Sequence, residues 1–401
     1  MPDRILTSHA GSLPRPEDLI ALNEQRAAGD FTDEAEYLSR LRTAVADVVA
    51  RQRETGIDLV NDGEYGHSMG QRYDYGSWWT YVFQRLANVE LTDLSIAEIA
   101  QPAAKPGEIR LASFGERRDW QAFLDAYLDP TAGVGLPNRA AIAPVCRGPI
   151  SYQGQEDVQR DISDMKAAMA AAGVADGFLN AVAPGSCARF GNEYYADDEE
   201  MLWACADAMR EEYVAIVESG LVLQLDDPAI AENWDQINPA PSVADYRRFT
   251  RKRIEALNYA IRDLPTERIR FHLCWGSWHG PHTTDFPMAD LVDIMLEINA
   301  GAYSFEAANV RHEHEWKAWR DVKLPEGKVI LPGVVSHSTN VIEHPEVVAD
   351  RILRFAEAVG GENVVASTDC GLGGRVHPQI AWAKLDTLVR GAEMATRRLW
   401  G

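Results

Sequence analysis

Cysteine is scarce and odd in number: five in 401 residues, too few and too irregularly spaced for a disulfide framework, with at least one left unpaired. Reduced thiols are the expectation. Long apolar runs are missing as well. No stretch approaches the roughly 20 apolar residues that a spanning helix needs, and the ten residues from Met1 to Ala10 lack the apolar core of a signal peptide. A cytoplasmic protein with no membrane partner follows. Basic residues are in deficit, 39 Lys and Arg against 61 Asp and Glu, for a formal net charge of −22. Binding a phosphate backbone depends on Lys and Arg, so nucleic acid is excluded as a partner. The acidic residues are dispersed, and their densest run, Asp197 to Glu200, reads as a solvated helix face. Solenoid repeats, low-complexity tracts and linkers are also absent, which predicts one domain over 1–401. Hydrophobic residues at 46% are enough for a large buried core.

Short apolar runs bounded by turn signals recur: Ile5 to Ser8, Asp58 to Asn61, Gly177 to Val182, Leu221 to Leu225, Ile269 to Leu273, Ala302 to Phe305, Val329 to Pro332 and Val364 to Ser367. Helical spacing appears at Met201 to Glu218, Val243 to Asp263, Met288 to Asn299 and Pro345 to Val359. About eight strand and helix units predict an α/β fold, a (β/α)8 TIM barrel. The connection from Tyr65 to about Met165 is too long for a minimal unit. It carries Tyr73, Tyr75, Trp78, Trp79, Tyr81 and Phe83, then a second apolar segment, Ala140 to Tyr152. This excursion after the second strand, at about 66–165, reads either as a lid over the barrel mouth or as a satellite cluster covering one barrel end.

Polar residues follow these strands. Ser12 and Arg15 follow the first, Asp62 and Glu64 the second, Asp226 and Asp227 the fourth, and His272 and Cys274 close the fifth. Glu306 follows the sixth, His337 the seventh, and Asp369 and Cys370 the eighth. Strand C-termini converge on one face of such a barrel, so residues distant in sequence meet there. His272 and Cys274 lie two apart and point to the same side of their strand. Alone the pair is weak, because a Cys beside a His is usually packed core. Glu306 and Cys370 at two other strand ends reverse that reading. Two thiols, an imidazole and a carboxylate make a zinc set, which iron or cobalt could also occupy. Cys205, within a helical pattern, reads as core. Three anionic ligands against +2 leave the site at −1, unsuited to hydrolysis but able to hold an added thiol as thiolate. The expected chemistry is alkyl transfer to or from sulfur.

The stretches His9 to Arg15, Asn61 to Glu64, Val145 to Ile150, Leu225 to Ala229, His272 to Cys274, Ser304 to Glu306 and Asp369 to Leu372 carry a resemblance. In their order and spacing the chain resembles the cobalamin-independent methionine synthase family, in its catalytic C-terminal barrel, over nearly its whole length. The resemblance implies a zinc-dependent barrel enzyme with His272, Cys274, Glu306 and Cys370 as ligands, in agreement with the spacing. It further implies that Ser12, Glu64 and Asp226 hold the amino-acid end of homocysteine and that His337 shuttles a proton. Paired carboxylates can bind an ammonium, and a histidine can protonate a leaving atom. A structural ion pair for Glu64 and a helix cap for His337 are the plainer alternatives.

The departures from the family pattern matter. The second, N-terminal barrel of the full-length enzymes is absent from this chain. The segment Ala181 to Phe190 lacks the tryptophan that stacks on the folate pterin, and Asp227 replaces the usual glutamate of an Asp-Glu-Pro motif. Both count against a conventional folate site and leave a folate methyl donor as one candidate among small alkyl donors. The run Cys274 to His282 is similar to the single-barrel branch that includes epoxyalkane:coenzyme M transferase, which makes His282 a substrate-binding candidate.

The leading expectation is a zinc-dependent alkyl, above all methyl, transferase joining a small thiol and a small alkyl donor, with His337 and Asp226 as catalytic residues. A thiol-epoxide transferase or C–S lyase, with His337 or His282 as acid, is the alternative. A third reading, from another class, is a uroporphyrinogen-decarboxylase-like barrel without metal catalysis that partners a methyl-transfer system. The zinc set is common to the family's branches, so it specifies a thiolate nucleophile and leaves the electrophile open. No oligomeric state follows from these features.

Overall fold

The computed structural model describes residues 3–30, 33–67, 77–95, 109–134 and 142–401. Its main sheet has eight parallel strands: β1 (Leu6–Thr7), β2 (Val60–Asn61), β3 (Gly177–Val182), β4 (Val222–Asp226), β5 (Ile269–Leu273), β6 (Ala302–Phe305), β7 (Val329–Val335) and β8 (Val365–Thr368). Chain order is followed from β2 to β8, and β8 then pairs with β1. The ends of that order, β1 and β2, meet where the Asp58 and Leu59 N–H groups both donate to the Thr7 carbonyl at 3.1 Å. The expected TIM-barrel-like architecture is therefore present.

Burial explains why these runs are strands. Every residue of β3 and β5 is buried, as befits parallel strands covered on both faces. The outer layer includes helices Glu34–Thr55, Gln155–Ala172, Asp198–Glu218, Val243–Ala260, Pro345–Val359 and Pro378–Trp400. Their starts are encoded locally. Asp33, Asp197 and Ser242 accept the backbone N–H three residues on, and Pro345 and Pro378 occupy the first helical position, where an N–H is dispensable. No helix among the described residues is long and apolar enough to cross a membrane.

The barrel interior is more polar than an aliphatic core. Arg270 donates to Ser8 Oγ at 2.8 Å, Gln224 Nε2 to the Ala10 carbonyl at 2.6 Å, and Asn61 Nδ2 to Asn180 Oδ1 at 3.0 Å. These groups face inward with the parity of His272, while Phe271 and Leu273 alternate outward into the apolar layer. A hydrogen-bonded floor thus lies beneath the strand ends.

Most boundaries shift by one to three residues, and three differences from expectation bear on the site. The helix expected over Met288 to Asn299 is a 3-10 turn, Met288–Asp290, and one short helix, Val292–Met295. Its apolar spacing reports burial rather than a continuous helix, since both kinds of turn bring residues three apart onto one face. Strand β7 runs on past Pro332 to Val335 through a register shift against β8 between Gly333 and Val335. A Cβ on Gly333 would lie 2.2 Å from Asp369 Oδ1, so the irregular, side-chain-free position admits that carboxylate.

The excursion closes earlier than 165, because residues from Gln155 onward belong to a barrel helix. Of its aromatics, Tyr73 and Tyr75 lie outside the described residues, while Trp79, Tyr81 and Phe83 are buried. Its strand Val89–Ser95 pairs antiparallel with Ile142–Cys146, which pairs in turn with Gly191–Asn192. Its helices Arg118–Ala122 and Leu124–Leu128 dock on the loop after β5. There Asp119 accepts from Thr283 N at 2.9 Å and His282 N at 3.2 Å, and Trp278 Nε1 donates to Tyr127 Oη at 2.9 Å.

Candidate metal and substrate site

Strand register places the chemistry. Asp226, the last residue of β4, is in register with His272 of β5, and His272 with Ser304 of β6. Cys274 follows β5 immediately, and Cys370 follows β8 after one residue. His272, Cys274 and Cys370 each present a ligand atom within 4.8 Å of the others. His272 Nδ1 lies 3.0 Å from Ser304 Oγ, which orients the ring, while its buried Nε2 has no hydrogen-bond partner among the described residues. A buried imidazole nitrogen left free beside two thiols fits a thiophilic divalent ion such as zinc. The two thiols perturb each other. Cys370 is held well below the ordinary thiol value, first by the Cys274 thiol donating to it and then by His272, against its burial. Cys274 is correspondingly raised, by that hydrogen bond first and by burial next.

Glu306, the fourth ligand of the expected set, stands in an adjoining group with His337 and Asp369, whose ligand atoms also lie within 4.8 Å of one another. Two donors hold its carboxylate: Trp275 N at 3.0 Å to Oε1, and Asn309 Nδ2 at 2.6 Å to Oε2. Burial raises the Glu306 carboxyl well above its usual value, with His312 opposing the rise. Burial also pushes the His337 imidazole down to about 4, and its buried Nδ1 has no hydrogen-bond partner among the described residues.

Asp369 accepts from three backbone N–H groups, Ala307 and Ala308 at 2.7 Å and Asn309 at 2.8 Å. It ties the loop carrying Glu306 to the strand end carrying Cys370.

A cavity of about 220 Å3 opens on the thiol side, lined by Ser12, Glu64, Asp226, His272, Cys274 and Cys370 among others. Glu64 and Asp226 are 4% and 6% exposed. Asp226 receives Gln224 Nε2 at 2.7 Å on one oxygen and Asn180 Nδ2 at 2.9 Å on the other. Burial raises it to about 6. Glu64 is raised well above its usual range by burial first, then by the nearby charges of Asp226 and Asp62. It also holds a left-handed backbone, φ +60°, which is rare outside glycine and common at functional sites. Two buried carboxylates facing one cavity call for a cation.

His282 is not with them. It lines a second cavity of about 230 Å3 with Glu306, His312 and His337, and both ring nitrogens are engaged: Nδ1 lies 3.2 Å from Asp285 and Nε2 3.0 Å from the Trp278 carbonyl. Several contributors were not singled out from sequence. Ser304 and Gln224 share the inward parity of their strands, a usable signal; Asn309 and Arg375 lie in loops and offered none.

The match to a family model decides the assignment: residues 139–394 fit the cobalamin-independent synthase catalytic domain. The chain belongs to that family. It is 24% identical over 400 residues to a methionine synthase of Thermococcus kodakarensis, covering 98% of this chain and 94% of the relative. It is 20% identical over 426 residues to the 2-hydroxypropyl-CoM lyase of Xanthobacter autotrophicus, covering 98% and 96%. The structure of a B12-independent methionine synthase from Shewanella sp. W3-18-1, in complex with selenomethionine, matches with a TM-score of 0.69 at 20% identity over 99% of both chains. That likeness shows a shared fold.

Proposed function

We propose that this synthase-family barrel is a zinc-dependent thiol alkyltransferase that methylates a small amino-acid thiol of the homocysteine type. The observation that carries the reading is the meeting of His272, Cys274 and Cys370 on a cavity whose wall also holds Glu64 and Asp226. The three residues would hold the metal, with Glu306 as the fourth candidate. When bound, zinc supplies the positive charge that keeps a thiol deprotonated yet nucleophilic near neutral pH.

The chain's own groups do the rest. Glu64 and Asp226 pair with the substrate ammonium, and Ser12 lines the same wall. The buried amides of Asn180 and Gln224 orient Asp226 before substrate arrives. In the transfer an S–C bond forms, the bond from carbon to the donor atom breaks, and the thiol proton ends on that atom. His337, neutral at pH 7 and lining the second cavity, relays this proton. The helices Arg118–Ala122 and Leu124–Leu128, by gripping the 274–285 loop through Asp119 and Tyr127, steady the segment that follows Cys274.

Thiol-epoxide transfer or C–S lysis is the second reading, favoured by likeness to the lyase over nearly the full chain. His282 is a poor acid for it, with both nitrogens engaged. Homocysteine with methyl-folate or another methyl donor, assayed against a small thiol with an epoxide, separates the two. Metal analysis tests the common core: Cys370→Ser should abolish both zinc content and thiol alkylation, and full activity without metal would overturn the reading.

A further inference from the structure

The geometry points to Arg375 as the residue that recognises the carboxylate of an α-amino-acid thiol in the first cavity. This rests on the thiol-alkylation reading and adds the residue that selects among thiols. Arg375 lines the same cavity as Glu64, Asp226, Cys274 and Cys370. It gets there by a turn: Arg375 N donates to the Leu372 carbonyl at 3.3 Å, and Gly374 supplies the required positive φ of +70°. The turn is fastened to the β1 loop, since Leu372 N and Gly373 N donate to the Ser12 carbonyl at 2.8 and 3.0 Å. A Cβ on Gly373 would lie 2.5 Å from Ser12 Oγ, so only glycine permits that approach.

Two arginines line this cavity, and they differ in what they do. Arg15 is committed to the protein, donating to the Glu64 and His67 carbonyls and to Ser77 Oγ. Arg375 forms no ion pair with any Asp or Glu among the described residues. Among the described residues, the cavity thus offers two carboxylates and one guanidinium that take part in no salt bridge, around a thiol-holding cluster. A zwitterionic thiol satisfies both ends. A sulfonate thiol would satisfy Arg375 and leave Glu64 and Asp226 unmatched, while a plain aminothiol would do the reverse. A planar guanidinium suits a carboxylate because it can donate two parallel hydrogen bonds.

The test is calorimetric binding to the zinc-loaded protein of three thiols: homocysteine, 3-aminopropane-1-thiol, which is homocysteine without its carboxylate, and 2-mercaptoethanesulfonate. Wild type should prefer homocysteine to the aminothiol by about tenfold to a hundredfold, the range of one charge-assisted contact. Arg375→Gln should erase that preference while leaving aminothiol affinity unchanged, which also reports that the variant is folded. Arg375→Lys should restore part of it. Equal weakening of both thiols in Arg375→Gln, or unchanged homocysteine affinity with a raised KM for the alkyl donor, overturns the assignment. Tighter binding of 2-mercaptoethanesulfonate than homocysteine by wild type overturns the amino-acid class. Failure of wild type to bind any of the three overturns the thiol-alkylation reading itself.

Discussion

Glu64 shows how a single residue trades stability for binding. Its carboxyl is buried, faces Asp226 and Asp62, and takes no side-chain hydrogen bond from the described residues. A carboxyl raised in the folded state contributes stability fully below its unfolded value, and that contribution is lost as pH rises through the folded value. Glu64→Gln does not titrate, so it should melt higher than wild type at pH 8 with the gain vanishing near pH 4, while homocysteine affinity falls about tenfold or more. Thermal melts and binding isotherms over pH 4 to 8 check both halves. The same carboxyls must be ionised to hold an ammonium. Homocysteine affinity should therefore fall as pH drops through about 6, the value to which burial lifts Asp226, with net proton release on binding near that pH.

Strand ends and loops set the geometry that single residues exploit. Asp369 gathers three N–H groups of the loop after β6 while its neighbour Cys370 faces the thiol cluster. Asp369→Asn keeps the shape but turns an NH2 toward donors, leaving at least one buried N–H unsatisfied at a cost of about 1–3 kcal/mol. It should lower zinc affinity in a chelator competition although no ligand is changed; unaltered affinity would show that the loop holds itself. At this scale the sequence was readable where local rules act alone. The parity of His272 and Cys274 is a property of any extended chain, and β3, β5 and β6 ended where their apolar runs did. It misled where packing outvotes local pattern: buried spacing over Met288 to Asn299 is made by two short turns, and β7 passes through Pro332 because the shift against β8 makes room for Asp369.

Across the whole molecule, the proposed metal would join β5 and β8, which lie on opposite sides of the β6 and β7 pair in the sheet order. Binding to the folded state alone stabilises it by about 2.7 kcal/mol at free zinc one hundredfold above Kd. Chelation should thus lower Tm by several degrees, and Cys370→Ser should melt at one temperature with or without chelator. A Tm indifferent to metal in wild type would count against a site spanning strands. The fold class and the strand-end positions of Asp226, His272, Cys274, Glu306 and Cys370 follow from sequence alone, because strand periodicity and strand-end position are consequences of covalent geometry and chain order. Only the tertiary structure decided how those side chains are partnered. It set Glu306 with His337 and Asp369, turned His282 to Asp285, and placed Arg375 on the cavity wall with no ion pair among the described residues. Each of these depends on which donors and acceptors neighbouring loops bring within hydrogen-bond reach, and no local pattern carries that information.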